Sequence, residues 1–325
     1  MKTLILLLLG CQLSAAVQSA PLEPVGTIAL AGVKGRFDHF GIDLGRQRLF
    51  VAALGNNTLE AIDLKSSTVI KSIGPIRKPS GVLFLPEFDR LFVAAGEDNA
   101  VAVFSGSELR KEQILSGYAD ADNLRYDAGR KLVYVGFGSG ALGVIDAGQL
   151  KKVSEIPLRG HPESFRLDEQ GRCIWVNVPD ARHVVVLDRL TGKTLATWPL
   201  DKARANFPIA ADLAHERLFI GTRQPPQLLV LDSRSGKQIA AIPIHGDTDD
   251  LFFDSLRKLI YISCGEGFVD VVEQSGADAY RSVASIPTRP GARTAWFSPE
   301  LDRFYLAVPE RGSDEAEIRV FKTSD

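Results

Sequence analysis

Asp38, Asp122, Glu163 and Asp249 stand at places that recur about every 42 residues along the chain, in a series completed by Ser80, Phe207 and Arg293. His39, Asn123, Ser164 and Asp250 follow members of that series directly, and His161, Asn206 and Asp247 lie just ahead of others. Carboxylates with a few imidazoles make the donor set of a divalent cation held by hard oxygen ligands, with histidine nitrogen added. The same groups also suit general acid–base work on a small polar ligand. The metal candidates are therefore Asp38, His39, Asp122, His161, Glu163, Asp249 and Asp250. A plainer reading has each Asp or Ser bonding local backbone N–H groups at a strand start. That reading weakens if the fold gathers all of them, because like charges in one concavity need a cation, a proton or Arg293 to offset them.

Other chemistries find no residues to carry them. Gly138-Ser139-Gly140 is only a fragment of a serine-hydrolase elbow, and Gly265-Glu266-Gly267 is too short for a phosphate-binding fingerprint. There is no Cys-x-x-Cys-His haem site and no nucleotide motif, so a divalent cation is the one cofactor class indicated. The 38 Lys and Arg residues against 40 Asp and Glu give a net charge of −2, and basic and aromatic residues do not interleave, which argues against nucleic acid as a partner.

The elements that must position these residues are strands. Aromatic residues centre strand-like runs at Phe50, Phe92, Tyr134, Trp175, Phe219, Tyr261 and Tyr305, again about 42 residues apart. Each unit reads as an apolar strand, a turn, the aromatic strand, a Gly/Asn/Pro-rich loop, a third strand such as Leu59 to Asp63 or Leu142 to Asp146, and a weaker fourth. Four strands per repeat of this length is the spacing of β-propeller blades. An all-β, seven-bladed propeller with four-stranded antiparallel blades is expected over residues 20 to 325 as a single domain. The last unit ends after its third strand, Ile318 to Phe321, so the N-terminal strand Val25 to Leu30 should complete the last blade and close the ring.

In this register Phe40, Val82, Leu124, Phe165, Ile209, Leu251 and Ala295 form one blade-packing column, and Ile42, Phe84, Tyr126, Leu167, Ala211, Phe253 and Phe297 another. The charged series lies two residues earlier on the same strand face, so it should converge on one mouth of the central channel. Loops after the aromatic strands should bring Asn56, Arg223 and Glu266 to that mouth. The expected ligand-binding set is Asp38, His39, Asn56, Asp122, Asn123, His161, Glu163, Asn206, Arg223, Asp249, Asp250, Glu266 and Arg293. His215 falls in a turn on the opposite face, His183 in an outer loop and His245 between blades. Cys173 and Cys264 stand a whole blade apart, too far for a disulfide.

Runs such as Arg48-Leu49-Phe50-Val51-Ala52-Ala53 and Arg90-Leu91-Phe92-Val93-Ala94-Ala95, each followed by an Asn-containing turn and a Val/Ile-x-Val/Ile-Asp strand, resemble the YVTN-repeat family of bacterial β-propellers, in its YncE-like branch. The motif tetrapeptide stands here in altered forms such as Tyr134-Val135-Gly136-Phe137. The resemblance spans the chain after the first segment and implies the propeller fold; propellers of this kind include scaffolds, ligand binders and a few enzymes.

Residues 1 to 19 read as a secretory signal: Met1 and Lys2, the apolar run Leu4 to Leu9, then small and polar residues to Ala20, with cleavage after Ala16 or Ser19. A competing reading makes Leu8-Leu9-Gly10-Cys11 a loose lipoprotein box with lipid on Cys11, against which the apolar run is short. The run is also too short to span a bilayer. The protein is expected in the periplasm or secreted, as a monomer. Its channel mouth would receive a small polar ligand, a cation or a protein partner. The alternative is a lactonase-like hydrolase in which a metal, or His39 and His161 with Glu163, activates water and Arg293 holds an anionic group.

Overall fold

The computed structural model describes residues 20–168 and 171–324, so the expected signal segment and Cys11 lie outside the described residues. Seven four-stranded antiparallel sheets follow one another around a ring. In blade 1, Phe40–Asp43 is innermost, Arg48–Ala53 carries Phe50, and Thr58–Asp63 and Thr68–Ile73 complete the sheet. The innermost strands of blades 2 to 7 are Pro79–Leu85, Leu124–Asp127, Phe165–Leu167, Arg204–Asp212, Thr248–Asp254 and Thr294–Ser298. Among the described residues, no helix is long and apolar enough to cross a membrane.

The repeated aromatics set this geometry. All seven are buried, from Phe50, Phe92, Phe219 and Tyr261 at 0% exposed to Tyr305 at 4%. Each sits on the second strand of its blade and packs with apolar residues of a neighbouring blade: Phe50 joins Val82 and Phe84 of blade 2, and Tyr134 joins Phe165 and Leu167 of blade 4. Burying one such side chain is worth roughly 1.5–3 kcal/mol, so the repeat places the strongest apolar contacts where sheet faces sheet.

The aspartates at strand ends are turn-makers. Asp43, Asp127 and Asp254 end inner strands, and each accepts the backbone N–H three residues on, from Arg46, Arg130 and Arg257, at 3.1 Å. Asp63, Asp188 and Asp232, which end third strands, do the same for Ser66, Thr191 and Ser235 at 2.8 Å. A short carboxylate bonding the backbone ahead of it is an Asx turn; these bonds hold the Asp63 and Asp188 carboxyls below the usual carboxylate range, and the Ser235 hydroxyl with the same kind of backbone bond does so for Asp232.

The ring closes as expected, with a shifted boundary. The N-terminal strand is Leu22–Ala29, not Val25 to Leu30, and it pairs antiparallel with Glu317–Thr323 as the outermost strand of blade 7, Leu22 opposite Thr323 and Ile28 opposite Ile318. Leu22 and Ile28 are each 2% exposed. The boundary moves because Leu30 leaves the sheet while its N–H still reaches Ala316 O at 2.9 Å. Cys173 and Cys264 are both free thiols.

Candidate functional site

Inner strands begin at the axis, so the residues that open them meet. Asp38, Ser80, Asp122, Glu163, Phe207, Asp249 and Arg293, one from each blade, surround a cavity of about 200 Å³. His39, Asn123, Ser164, His161 and Arg223 join them, with Arg36, Lys78 and Asp120 on the rim. The blades press closely here: a Cβ on Gly81 would lie 2.3 Å from Asp122 O. Only glycine lets the second inner strand approach the chain that carries Asp122.

The cavity has two electrostatic halves. On the side of blades 5 to 7 the charges neutralise one another. Arg293 Nη1 donates to Asp247 at 2.7 and 2.8 Å and its Nε lies 3.1 Å from Asp249. Arg223 Nη2 donates to Asp249 at 2.7 Å, and its guanidinium stacks 3.8 Å from the Phe207 ring centroid. Burial pushes the Asp249 carboxyl up while Arg293 and Arg223 pull it back.

The side of blades 1 to 4 is different. His39 Nε2 lies 3.5 Å from Asp38 and 4.0 Å from Asp122, and His161 Nε2 lies 3.6 Å from Asp122. Two overlapping triads result, Asp38–His39–Asp122 and Asp122–His161–Glu163, in each of which one ligand atom per residue falls within 4.8 Å of the others. His161 Nδ1 is 2.6 Å from Gly138 O. A carbonyl only accepts, so Nδ1 carries the proton and Nε2 is turned to Asp122; such a bond commonly orients a metal-binding imidazole. Asp122 Oδ1 is buried with no hydrogen-bond partner.

Protonation follows from this crowding. Burial, with the Asp122 charge added, pushes the Glu163 carboxyl up to about 8. Burial lifts Asp38 to about 7, against the pull of His39. Burial alone would lower both imidazoles, but Asp38 with Asp250 lifts His39 to about 10, and Asp122 with the Gly138 carbonyl lifts His161 to about 9. The cluster holds protons where a cation could sit, and its donors, two or more carboxylates with an imidazole, fit a divalent ion such as Zn²⁺ or Mn²⁺.

Several expected site residues lie elsewhere. Asn206 is fully buried between blades 4 and 5, where its amide donates to Asn177 Oδ1 at 3.0 Å and His183 O at 3.2 Å. The pairing register of its strand shifts between Asn206 and Ile209, which turns it away from the axis. Asn56 accepts from Lys34 N and donates to Thr58 in an outer groove. Glu266 accepts the Gly246 N–H at 2.8 Å and ties two loops together. Asp249 and Asp250 belong to neither triad: Asp249 is held by arginines, and Asp250 accepts the Ala295 N–H at 2.8 Å. Arg293, expected to hold an anionic group, is committed to Asp247 and Asp249. His183 is no outer-loop residue; it opens a third strand and is buried. His215 pairs with Asp212 at 2.6 Å, and His245 pairs with Asp270 at 2.8 Å and stacks on Phe268. Arg36, Lys78 and Asp120 stand two residues ahead of Asp38, Ser80 and Asp122, the same repeat position that His161 and Asp247 occupy, so the register carries a signal for them as well.

No family model matches the chain, and no curated protein sequence matches it. Solved structures do. Kuenenia stuttgartiensis hydrazine synthase aligns with a TM-score of 0.77 at 17% identity, over 92% of this chain and 99% of that one. A chain of the mitotic checkpoint complex aligns with a TM-score of 0.77 at 14% identity, over 99% of this chain and 100% of that one. At such identities the likeness is one of fold: this chain is a seven-bladed β-propeller.

Proposed function

We propose that the protein is an exported binding propeller of the YVTN-repeat type whose channel mouth holds a divalent cation on Asp122, His161 and Glu163, with Asp38 and His39 alongside. The cation would be presented to a small polar ligand or to the acidic tail of a protein partner. The observation that carries this reading is the Nδ1–H bond from His161 to Gly138 O, which turns Nε2 toward Asp122 beside Glu163. Export rests on the charged, apolar and small-residue order of residues 1 to 19, and the YVTN-repeat assignment on runs such as Arg48 to Ala53.

A second reading, a lactonase-like hydrolase, draws on Glu163. A buried carboxyl raised to about 8 beside an imidazole is suited to proton transfer near neutral pH. With a cation bound, the same carboxylate would position or deprotonate water. Turnover of lactones or esters by the purified protein, lost in Glu163→Gln, would favour it over simple binding.

The binding claim is tested by calorimetric titration of chelator-treated protein with Zn²⁺ and Mn²⁺. One saturable site is expected, weakened by about tenfold or more in Asp122→Asn and His161→Gln and unchanged in Asp247→Asn, since losing one ligand of a small set is costly. Absence of saturation by either ion, or equal binding by all three variants, would remove the proposal.

A further inference from the structure

The channel has a second compartment beyond the mouth, of about 370 Å³. His39 and Ser164 line both cavities and so form the partition between them. Side chains alternate along a strand. The residues two places beyond this partition layer therefore face the channel too, and they include Leu83, Arg125, Arg166, Phe252 and Trp296.

The composition of this compartment is unlike that of the mouth. Its walls are apolar at Leu83, Phe252 and Trp296, the two rings meeting edge to face at 6.4 Å between centroids. Two guanidiniums enter it, while Asp250 is its one carboxylate among the described residues. Asp250 is already engaged by the Ala295 N–H at 2.8 Å and lies 3.5 Å from His39 Nδ1. Arg125 is held at the partition, donating to Leu124 O at 2.8 Å and to Ser164 Oγ at 3.3 Å. Burial, and then the neighbouring Arg166 charge, pushes Arg125 down to about 10, against the pull of Asp250 and Asp122. The Trp296 indole N–H is buried with no acceptor among the described residues.

We propose that this compartment binds an amphipathic organic anion, a carboxylate-headed molecule with an aryl or alkyl body. Its head would meet Arg125 and Arg166, and its body would lie against Leu83, Phe252 and Trp296. Guanidinium–carboxylate pairs are strong and directional, and the volume falls in the range of about 300–1,000 Å³ usual for small-molecule sites. The buried indole N–H supplies a further donor to the head or to a polar substituent. This site does not depend on the cation at the mouth: the two share a wall and differ in charge.

The test is calorimetric titration of the purified protein with hydrocinnamate, octanoate, hydrocinnamyl alcohol and acetate. Saturable binding of hydrocinnamate or octanoate is expected, with the alcohol and acetate weaker by about tenfold or more, since the first lacks the charge and the second the apolar body. That comparison is made on the unaltered protein and needs no variant. Arg166→Gln and Arg125→Gln, each checked by melting, should lower the hydrocinnamate affinity by about tenfold or more, and Glu163→Gln should leave it unchanged. The proposal is overturned if neither anion saturates the protein at millimolar concentration or if the alcohol binds as well as the acid. It is also overturned if Glu163→Gln rather than the arginine variants abolishes binding, because the ligand would then belong to the mouth.

Discussion

Binding a cation at the mouth should expel protons, and the number follows from the cluster. At pH 7 an imidazole raised to about 9 is almost fully protonated, as His161 is, and a carboxyl raised to about 8 is about nine-tenths protonated, as Glu163 is. Both must be deprotonated to act as ligands, whereas the Asp122 carboxyl is held below its ordinary value and is ionised already. About two protons should therefore leave per cation at pH 7. By linkage the apparent affinity should rise about 100-fold from pH 6 to pH 7, flattening as the pH passes the raised values. Calorimetry of Zn²⁺ binding in PIPES and in Tris, whose ionisation enthalpies differ, reads the proton count from the difference in heat. A count near zero, or an affinity that does not change between pH 6 and 8, would refute the assignment of His161 and Glu163 as ligands.

Three further outcomes are expected. Deleting Leu22–Ala29 removes the outer strand of blade 7 and the buried Leu22 and Ile28. Two such side chains represent roughly 3–6 kcal/mol and the strand they pair with becomes an open edge, so the truncated chain should aggregate or lose its cooperative melt, and a melt like that of the intact protein would contradict the closure. Gly81→Ala places a Cβ 2.3 Å from Asp122 O; cation affinity should fall even where the melting temperature drops only a few degrees, as a binding titration paired with calorimetry would show. The cation-free protein should melt lower as pH rises from 5 to 9. Asp38, Glu163, His39 and His161 all have folded values above their ordinary ones, so the stability they contribute is present below those ordinary values and lost as pH climbs through the raised ones. Asp122, with a lowered value, acts only nearer pH 4. Added Zn²⁺ should reverse the fall, and a melting temperature that rises across this window without the ion would show that the cluster is not proton-loaded.

The fold was readable because its rule is periodic. An aromatic on the second strand of every blade must be buried between sheets, so seven evenly spaced aromatics count the blades, and an N-terminal strand without a blade of its own must complete the last one. The charged series at the mouth was readable for the same reason, since strand starts are fixed by that register. Local bends were not. A bulge after Asn206 rotates that side chain from the axis into the space between blades, and no residue type announces it. The far compartment is less legible, because the apolar columns at Phe40 and Ile42 mark only the packing face of the inner strands, and on the alternate face the charged and polar residues His39, Asn123, Ser164 and Asp250 mark only the first layer. Two residues further on that face stand Arg125, Arg166, Phe252 and Trp296.

Anomalous diffraction at the zinc edge, from crystals of the chelator-treated protein soaked in Zn²⁺, tests the cation site most directly. The expected result is one peak at the mouth about 2.0–2.2 Å from His161 Nε2 and from carboxylate oxygens of Asp122 and Glu163, absent in crystals of His161→Gln. A mouth without a peak, or a peak confined to the side of Asp247 and Asp249, would contradict it.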